Sequence, residues 1–130
     1  MIPSLWPTEP DLNTNHKNIT INPGISNIDY PTANILLETG KVKLIDVREA
    51  DEYKQGYIIN AINIPVDTIK KETIAKLLPN LNEPIIVYCL SGKRASEAAL
   101  KLRRLGYNYI LNMGGIISPM DGIGPSDIEI

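Results

Sequence analysis

Cysteine occurs once in the 130 residues, at position 89, so the chain can neither close an internal disulfide nor assemble a multi-cysteine metal site. Histidine also occurs once. His16 has no Cys, Asp or Glu beside it, and it reads as a solvated histidine and not as a catalytic base or metal ligand. No apolar run approaches the roughly 20 residues that cross a bilayer. Basic excess is missing too: 13 Lys and Arg against 15 Asp and Glu give a net charge of −2 and a pI near 5.4, which provides no field for nucleic acid. Periodic hydrophobicity is lacking from Met1 to Gly24, where Pro3, Pro7, Pro10 and Pro23 stand among Asn and Thr. Residues 1–24 therefore read as an extended arm or linker ahead of a domain at 25–130, with Trp6 anchoring the arm onto it. The arm shows no charged segment followed by an apolar one, so the expected location is cytoplasmic; it is extracytoplasmic if a leader has been removed.

What is present fits one globular domain with a single core: 43% hydrophobic and 22% charged residues over this length. Asp29 can cap a helix with Pro31 in its first turn, running to Thr39 and stopped by Gly40. Val42–Val47 reads as a buried strand, Glu49–Lys54 as a short helix ended by Gly56, and Ile62–Ile64 as a strand halted by Pro65. Asp67 to Leu78 is helical with a break near Lys71. Ile85–Tyr88 is a strand, Ala95–Leu105 an amphipathic helix with Ala95, Ala98, Ala99, Leu102 and Leu105 on one face, and Tyr109–Leu111 a last strand before Gly114–Gly115. Strands alternating with helices predict an α/β fold, a parallel sheet with helices on both faces. Ligands of such sheets bind beyond the carboxyl ends of the strands.

Cys89 stands at such an end. It follows Ile85–Tyr88 and precedes Leu90, Ser91, Gly92, Lys93 and Arg94, which open the next helix. Backbone N–H groups of a loop and first helical turn converge on one point, and the helix dipole adds positive potential there. Such a site favours a thiolate and the anion it attacks. The competing reading is an inert thiol buried at a strand end; glycine and two cations directly after the sulfur favour the reactive one. Asp46 and Arg48 read as a structural ion pair, Glu49, Asp51 and Glu52 as the acidic first turn of a helix, and Tyr53 and Tyr57 as core or rim packing. Gly114–Gly115 reads as a backbone turn beside the loop.

Leu44–Glu49, Glu52–Tyr53, Gly56–Ile58, Ala61–Pro65, Cys89–Arg94 and Gly114–Gly115, in this order and spacing, resemble a single-domain rhodanese over about residues 26–117. The resemblance implies a rhodanese-like, five-stranded, mostly parallel sheet and a monomeric sulfurtransferase, without cofactor, that carries a persulfide on Cys89. Leu90, Ser91, Gly92, Lys93 and Arg94 are then its substrate-binding loop, with Arg94 meeting the sulfonate end of thiosulfate. Its partners would be a small sulfur donor and cyanide or a thiol acceptor, including a partner protein. Three positions depart from the family pattern: Tyr57 replaces a usual His, Asn60 a usual Gly, and Pro119 a usual Trp.

Loop length separates the rivals within this resemblance. Cys89 to Arg94 is C-x4-R, whereas phosphatases of related fold use C-x5-R to cradle a tetrahedral phosphate. No residue stands out as the acid that a phosphatase or arsenate reductase needs. A sulfur-carrier or regulatory interaction module of the same fold is the other alternative; the presence of both Cys89 and Arg94 disfavours a purely regulatory module, whereas a carrier passing sulfur to a protein thiol would use the same residues. For a thiol generally, a fall in pKa from about 8.5 to about 6.5 raises the thiolate fraction at pH 7 roughly 25-fold. The weaker nucleophile returns roughly 8-fold of that, leaving about 3-fold. Positioning and anion stabilisation must therefore supply most of any acceleration.

Overall fold

A computed structural model describes residues 19–116 and 128–129. The expectations for Trp6, His16 and Pro119 lie outside these residues. A five-stranded sheet has the order β1 (Gly24–Asn27), β6 (Tyr109–Gly115), β5 (Ile85–Cys89), β2 (Lys43–Asp46), β4 (Ile62–Asn63), and every pairing in it is parallel. β3 (Tyr57–Ile58) and β7 (Ile128–Glu129) form a separate antiparallel pair. The helices are α1 (Tyr30–Leu37), α2 (Ala50–Lys54), α3 (Lys71–Leu77) and α4 (Lys93–Arg104), with a 3-10 turn at Val66–Thr68.

The period of two in the strands divides the core into two layers. From β5, Ile85, Val87 and Cys89 face one way, against Ile74 and Leu78 at α3 and Ala95, Ala98, Ala99 and Leu102 of α4. Ile86 and Tyr88 face the other way, against Tyr30, Ala33 and Leu36 of α1. All five residues of β5 are buried, as the central strand of a doubly covered sheet requires. Helices thus cover both faces, as the sequence predicts. No helix among the described residues is long and apolar enough to cross a membrane.

Local signals account for most boundaries. The Asp29 carboxylate accepts the Thr32 N–H at 2.9 Å, and its pKa is lowered by that bond. The expected break near Lys71 is real: the 3-10 turn ends at Thr68 and α3 begins at Lys71. β1, which sequence reading did not identify, is an edge strand whose residues alternate between half-buried and exposed. Gly24, expected at the end of the arm, opens it. Ile19 and Ile21 already pack, half-buried, on the α1 side of the sheet.

Candidate active site

The site is built at the carboxyl end of β5, where the last strand residue is Cys89. Its side chain is fully buried. The sulfur accepts the N–H of Gly92 at 3.0 Å and that of Ala95 at 3.2 Å. Two backbone dipoles and the N-terminus of a twelve-residue helix therefore point at one atom and stabilise negative charge on it. The turn that permits this needs Gly92, whose φ of 103° lies in the left-handed region.

The neighbouring strand supports the loop from behind. The β5–β6 register shifts after Val87, so that Gly115 pairs with Cys89 and Ile116 N–H donates to the Cys89 carbonyl at 3.0 Å. A Cβ on Gly115 would lie 2.4 Å from the Leu90 carbonyl oxygen and 2.7 Å from Ser91 Cα. The Gly114–Gly115 pair lies beside the loop, as expected from sequence, but it is the end of strand β6 pressed against the loop and not the expected turn.

Of the expected binding residues, Leu90, Ser91 and Gly92 form the loop, and Lys93 and Arg94 begin α4. Lys93 is exposed and has no ion pair among the described residues. Arg94 has a partner that sequence reading missed. Its Nη1 and Nη2 donate to Glu52 Oε1 and Oε2 at 2.5 and 2.9 Å, a bidentate pair across 42 residues of sequence. The expected dipole role of Glu52 is only part of its contribution: Oε1 also accepts the Glu49 N–H at 3.0 Å, closing the first turn of α2. The available signal was an acid at the third position of a capped helix, which fixes one carboxylate oxygen; its distant cation is a tertiary contact.

The Arg94 bond is the main reason that the Glu52 pKa falls to about 2. Burial opposes the shift, while the Glu49 N–H and the charges of Arg94 and Arg48 assist it. Arg94 in turn is raised, first by Glu52 and against its own burial, with smaller contributions from Cys89 and Glu49. Arg94 and Cys89 are thus within electrostatic reach of each other. Because the folded pKa of Glu52 is depressed, its stabilising contribution is complete above the ordinary value of 4.5 and is lost as pH falls towards 2. The unfolding free-energy difference between wild type and Glu52→Gln should be constant above about pH 5 and shrink below it; a difference independent of pH down to 2 contradicts the pairing.

A second, buried ion pair holds the frame. Arg48 Nε and Nη2 donate to the Asp46 carboxylate at 2.7–3.1 Å, and Nη2 also donates to the Gly56 carbonyl at 2.6 Å. The Arg48 guanidinium lies 5.9 Å over the ring of Tyr88, whose hydroxyl accepts the Ile58 N–H at 3.0 Å. Burial raises the Tyr88 pKa, so the phenol stays protonated. Asn63 Nδ2 donates to the carbonyls of Asp46 and Arg48 at 3.0 and 2.9 Å. β2, β4, β5 and the segment from Gly56 to Ile58 that follows α2 are thereby tied together. The structural reading of Asp46 and Arg48 holds.

Two departures from the family pattern also have physical accounts. Asn60 adopts φ 72°, the left-handed conformation that glycine adopts freely and Asn tolerates better than most residues. Tyr57 stacks on Tyr53 with ring centroids 4.0 Å apart, and the Tyr53 hydroxyl donates to the Ala61 carbonyl at 2.7 Å.

A parallel sheet with helices on both faces and a buried thiol in a loop-to-helix cradle is the architecture of the rhodanese-like proteins. The Rhodanese-like domain family profile matches residues 32–117, and the chain belongs to that family. It is 39% identical over 72 residues to thiosulfate sulfurtransferase PspE of Escherichia coli, covering 55% of this chain and 68% of PspE. The structure is similar to human single-domain sulfurtransferase TSTD1, with a TM-score of 0.62 and 30% identity over 71% of this chain and 91% of that one. The tRNA uridine(34) hydroxylase of Salmonella agona is 31% identical over 88 residues, which are 65% of this chain but 25% of the hydroxylase. Family membership thus accompanies more than one activity.

Proposed function

We propose that the protein is a sulfurtransferase that moves a sulfane sulfur from thiosulfate or a persulfide donor to cyanide or a thiol through a persulfide on Cys89. The observation carrying this reading is the convergence of the Gly92 and Ala95 N–H groups on the Cys89 sulfur. The thiolate attacks the outer sulfur of thiosulfate, the S–S bond breaks, and sulfite leaves with the bonding pair. The same two N–H groups then face the persulfide. With no second cysteine in the chain, the acceptor that takes the sulfur comes from outside. The names of PspE and TSTD1 support the reaction class.

The phosphatase reading is weaker on two counts. The loop from Cys89 to Arg94 is C-x4-R, and the carboxyl that reaches it, Glu52, is held ionised with a pKa of about 2. Glu52 therefore has no proton to give a leaving group near neutral pH. Incubation with thiosulfate should add about one sulfur, roughly 32 Da by intact mass, removable by cyanide or dithiothreitol. An unmodified mass with every sulfane donor, together with saturable aryl phosphate turnover, overturns the proposal.

Arg94 is assigned to the sulfonate end of thiosulfate and the departing sulfite, using the N–H donors that Glu52 leaves free. Losing a charged hydrogen-bonding partner typically costs about 1.5–3 kcal/mol, roughly 10- to 150-fold in rate constant. Its removal also leaves Glu52 unpaired. A solvated rim charge such as Lys93 contributes less than about 1 kcal/mol. Arg94→Ala is therefore expected to lower kcat/KM for thiosulfate far more than Lys93→Ala does. Alkylation of Cys89 by neutral iodoacetamide should slow only modestly in Arg94→Ala. Equal slowing of both reactions shows that Arg94 holds the loop and does not recognise the anion.

A further inference from the structure

We propose that Glu52 sets the charge of the sulfur donor this site accepts, selecting monoanionic sulfane donors over dianionic thiosulfate by compensating Arg94. The inference rests on the sulfur-transfer reading of Cys89 and concerns a residue outside the Cys89–Arg94 loop. Glu52 sits on α2, yet both of its oxygens are engaged by the guanidinium at the head of α4. A second carboxylate, Glu49, also acts on Arg94 electrostatically. Beside these carboxylates Lys93 is exposed and unpaired among the described residues, whereas the guanidinium charge of Arg94 is compensated by Glu52.

This compensation has a chemical consequence. Thiosulfate brings two negative charges to a sulfur that is itself anionic, and the fixed guanidinium that would offset them is already paired. An organic thiosulfonate presents the same outer sulfur and the same type of leaving group, with one oxyanion replaced by carbon. In both cases the Cys89 thiolate attacks the outer sulfur, one S–S bond forms and one breaks. Sulfite leaves from thiosulfate and a sulfinate from the thiosulfonate, each carrying the bonding pair, and the charges on the two sides are equal. The donors differ by one unit of charge, so the electrostatic cost imposed by Glu52 falls about twice as heavily on thiosulfate. Glu52 positions Arg94 and tunes its field; the thiol remains the group that reacts.

Glu52→Gln tests this with little disturbance to the helix, because Gln at this position can still accept the Glu49 N–H. Rates for thiosulfate and for benzenethiosulfonate would be measured with wild type and Glu52→Gln, alongside the intact-mass shift on Cys89. One unit charge over a partly screened mouth corresponds to roughly a fivefold change in relative preference. The kcat/KM ratio of thiosulfonate to thiosulfate should fall roughly fivefold in Glu52→Gln, mainly through KM for thiosulfate. The change should shrink at about 0.5 M salt. A loss of loop order alone moves both donors together and leaves the ratio and its salt dependence unchanged; that result overturns the assignment while sulfur transfer stands. If neither donor adds sulfur to Cys89, the sulfur-transfer reading falls and the inference with it.

Discussion

Cys89→Ser is expected to abolish both the sulfur adduct and thiocyanate production, a loss on the order of a thousandfold or more, while leaving the fold intact. In the proposed reaction the sulfur is the covalent carrier, and a serine hydroxyl neither ionises near neutral pH nor forms a persulfide. Positioning by the loop survives the change but has nothing to position. The structural cost is small, since the exchange replaces one buried atom in a cradle already lined with donors. The Gly92 and Ala95 N–H groups that now meet the sulfur at 3.0 and 3.2 Å can meet the hydroxyl oxygen. Coincident thermal unfolding curves for the two proteins, with thiocyanate formation only in wild type, constitute the expected result. An undiminished rate in Cys89→Ser removes the assignment altogether.

The loop was legible in the sequence because its signals are local: a β-prone run, a thiol, a glycine and a helix with one apolar face occupy adjacent positions. The same holds for the Asp29 cap, the break before Lys71 and the Asp46–Arg48 pair, whose members stand two residues apart. β1 was not legible. It is four residues long, half-exposed and paired on one side only, so its sequence carries neither a buried run nor clear alternation of apolar with polar residues. The two-residue β3 and β7 are defined by each other and by no pattern of their own. Glu52 shows the limit most clearly. Sequence places it correctly in the first turn of α2, and the dipole argument for an acid there is sound. That its carboxylate also reaches Arg94 depends on β2 and β5 being neighbours in the sheet, which brings the ends of their following segments together. Charges next to Cys89 in sequence suggest two free cations; tertiary pairing compensates that of Arg94.

Removing Arg48 should be the most destabilising single change in the frame around the loop. Arg48 is 5% exposed and Asp46 is fully buried. In Arg48→Ala the Asp46 carboxylate loses its guanidinium partner while the residue 48 N–H, at 2.9 Å from Oδ1 in the native protein, still reaches it, and the Gly56 carbonyl loses its guanidinium donor. An isolated ion pair on the surface is worth less than about 1 kcal/mol, whereas breaking a buried one strands the remaining charge and costs about 3–5 kcal/mol. Against a total stability of about 5–15 kcal/mol that is a large share, and for a domain of this size the midpoint should fall by roughly 10–20 °C. The double variant Asp46→Asn/Arg48→Met separates the charge from the packing. Asn retains an acceptor for the residue 48 N–H, and Met restores part of the apolar stem without leaving a buried carboxylate. It should recover a substantial part of the loss, even though it removes one more native group than Arg48→Ala does. Denaturant unfolding of the three proteins provides the comparison. A cost below about 1 kcal/mol for Arg48→Ala would mean that solvent reaches Asp46 and that the pair behaves as a surface contact. A double variant no more stable than Arg48→Ala would place the loss in packing and in the Gly56 bond. With the expected result, the two ion pairs differ by burial: the Asp46–Arg48 pair, shielded from solvent, fixes β2 against the segment that follows α2, whereas the Glu52–Arg94 pair is half-exposed and contributes less to stability.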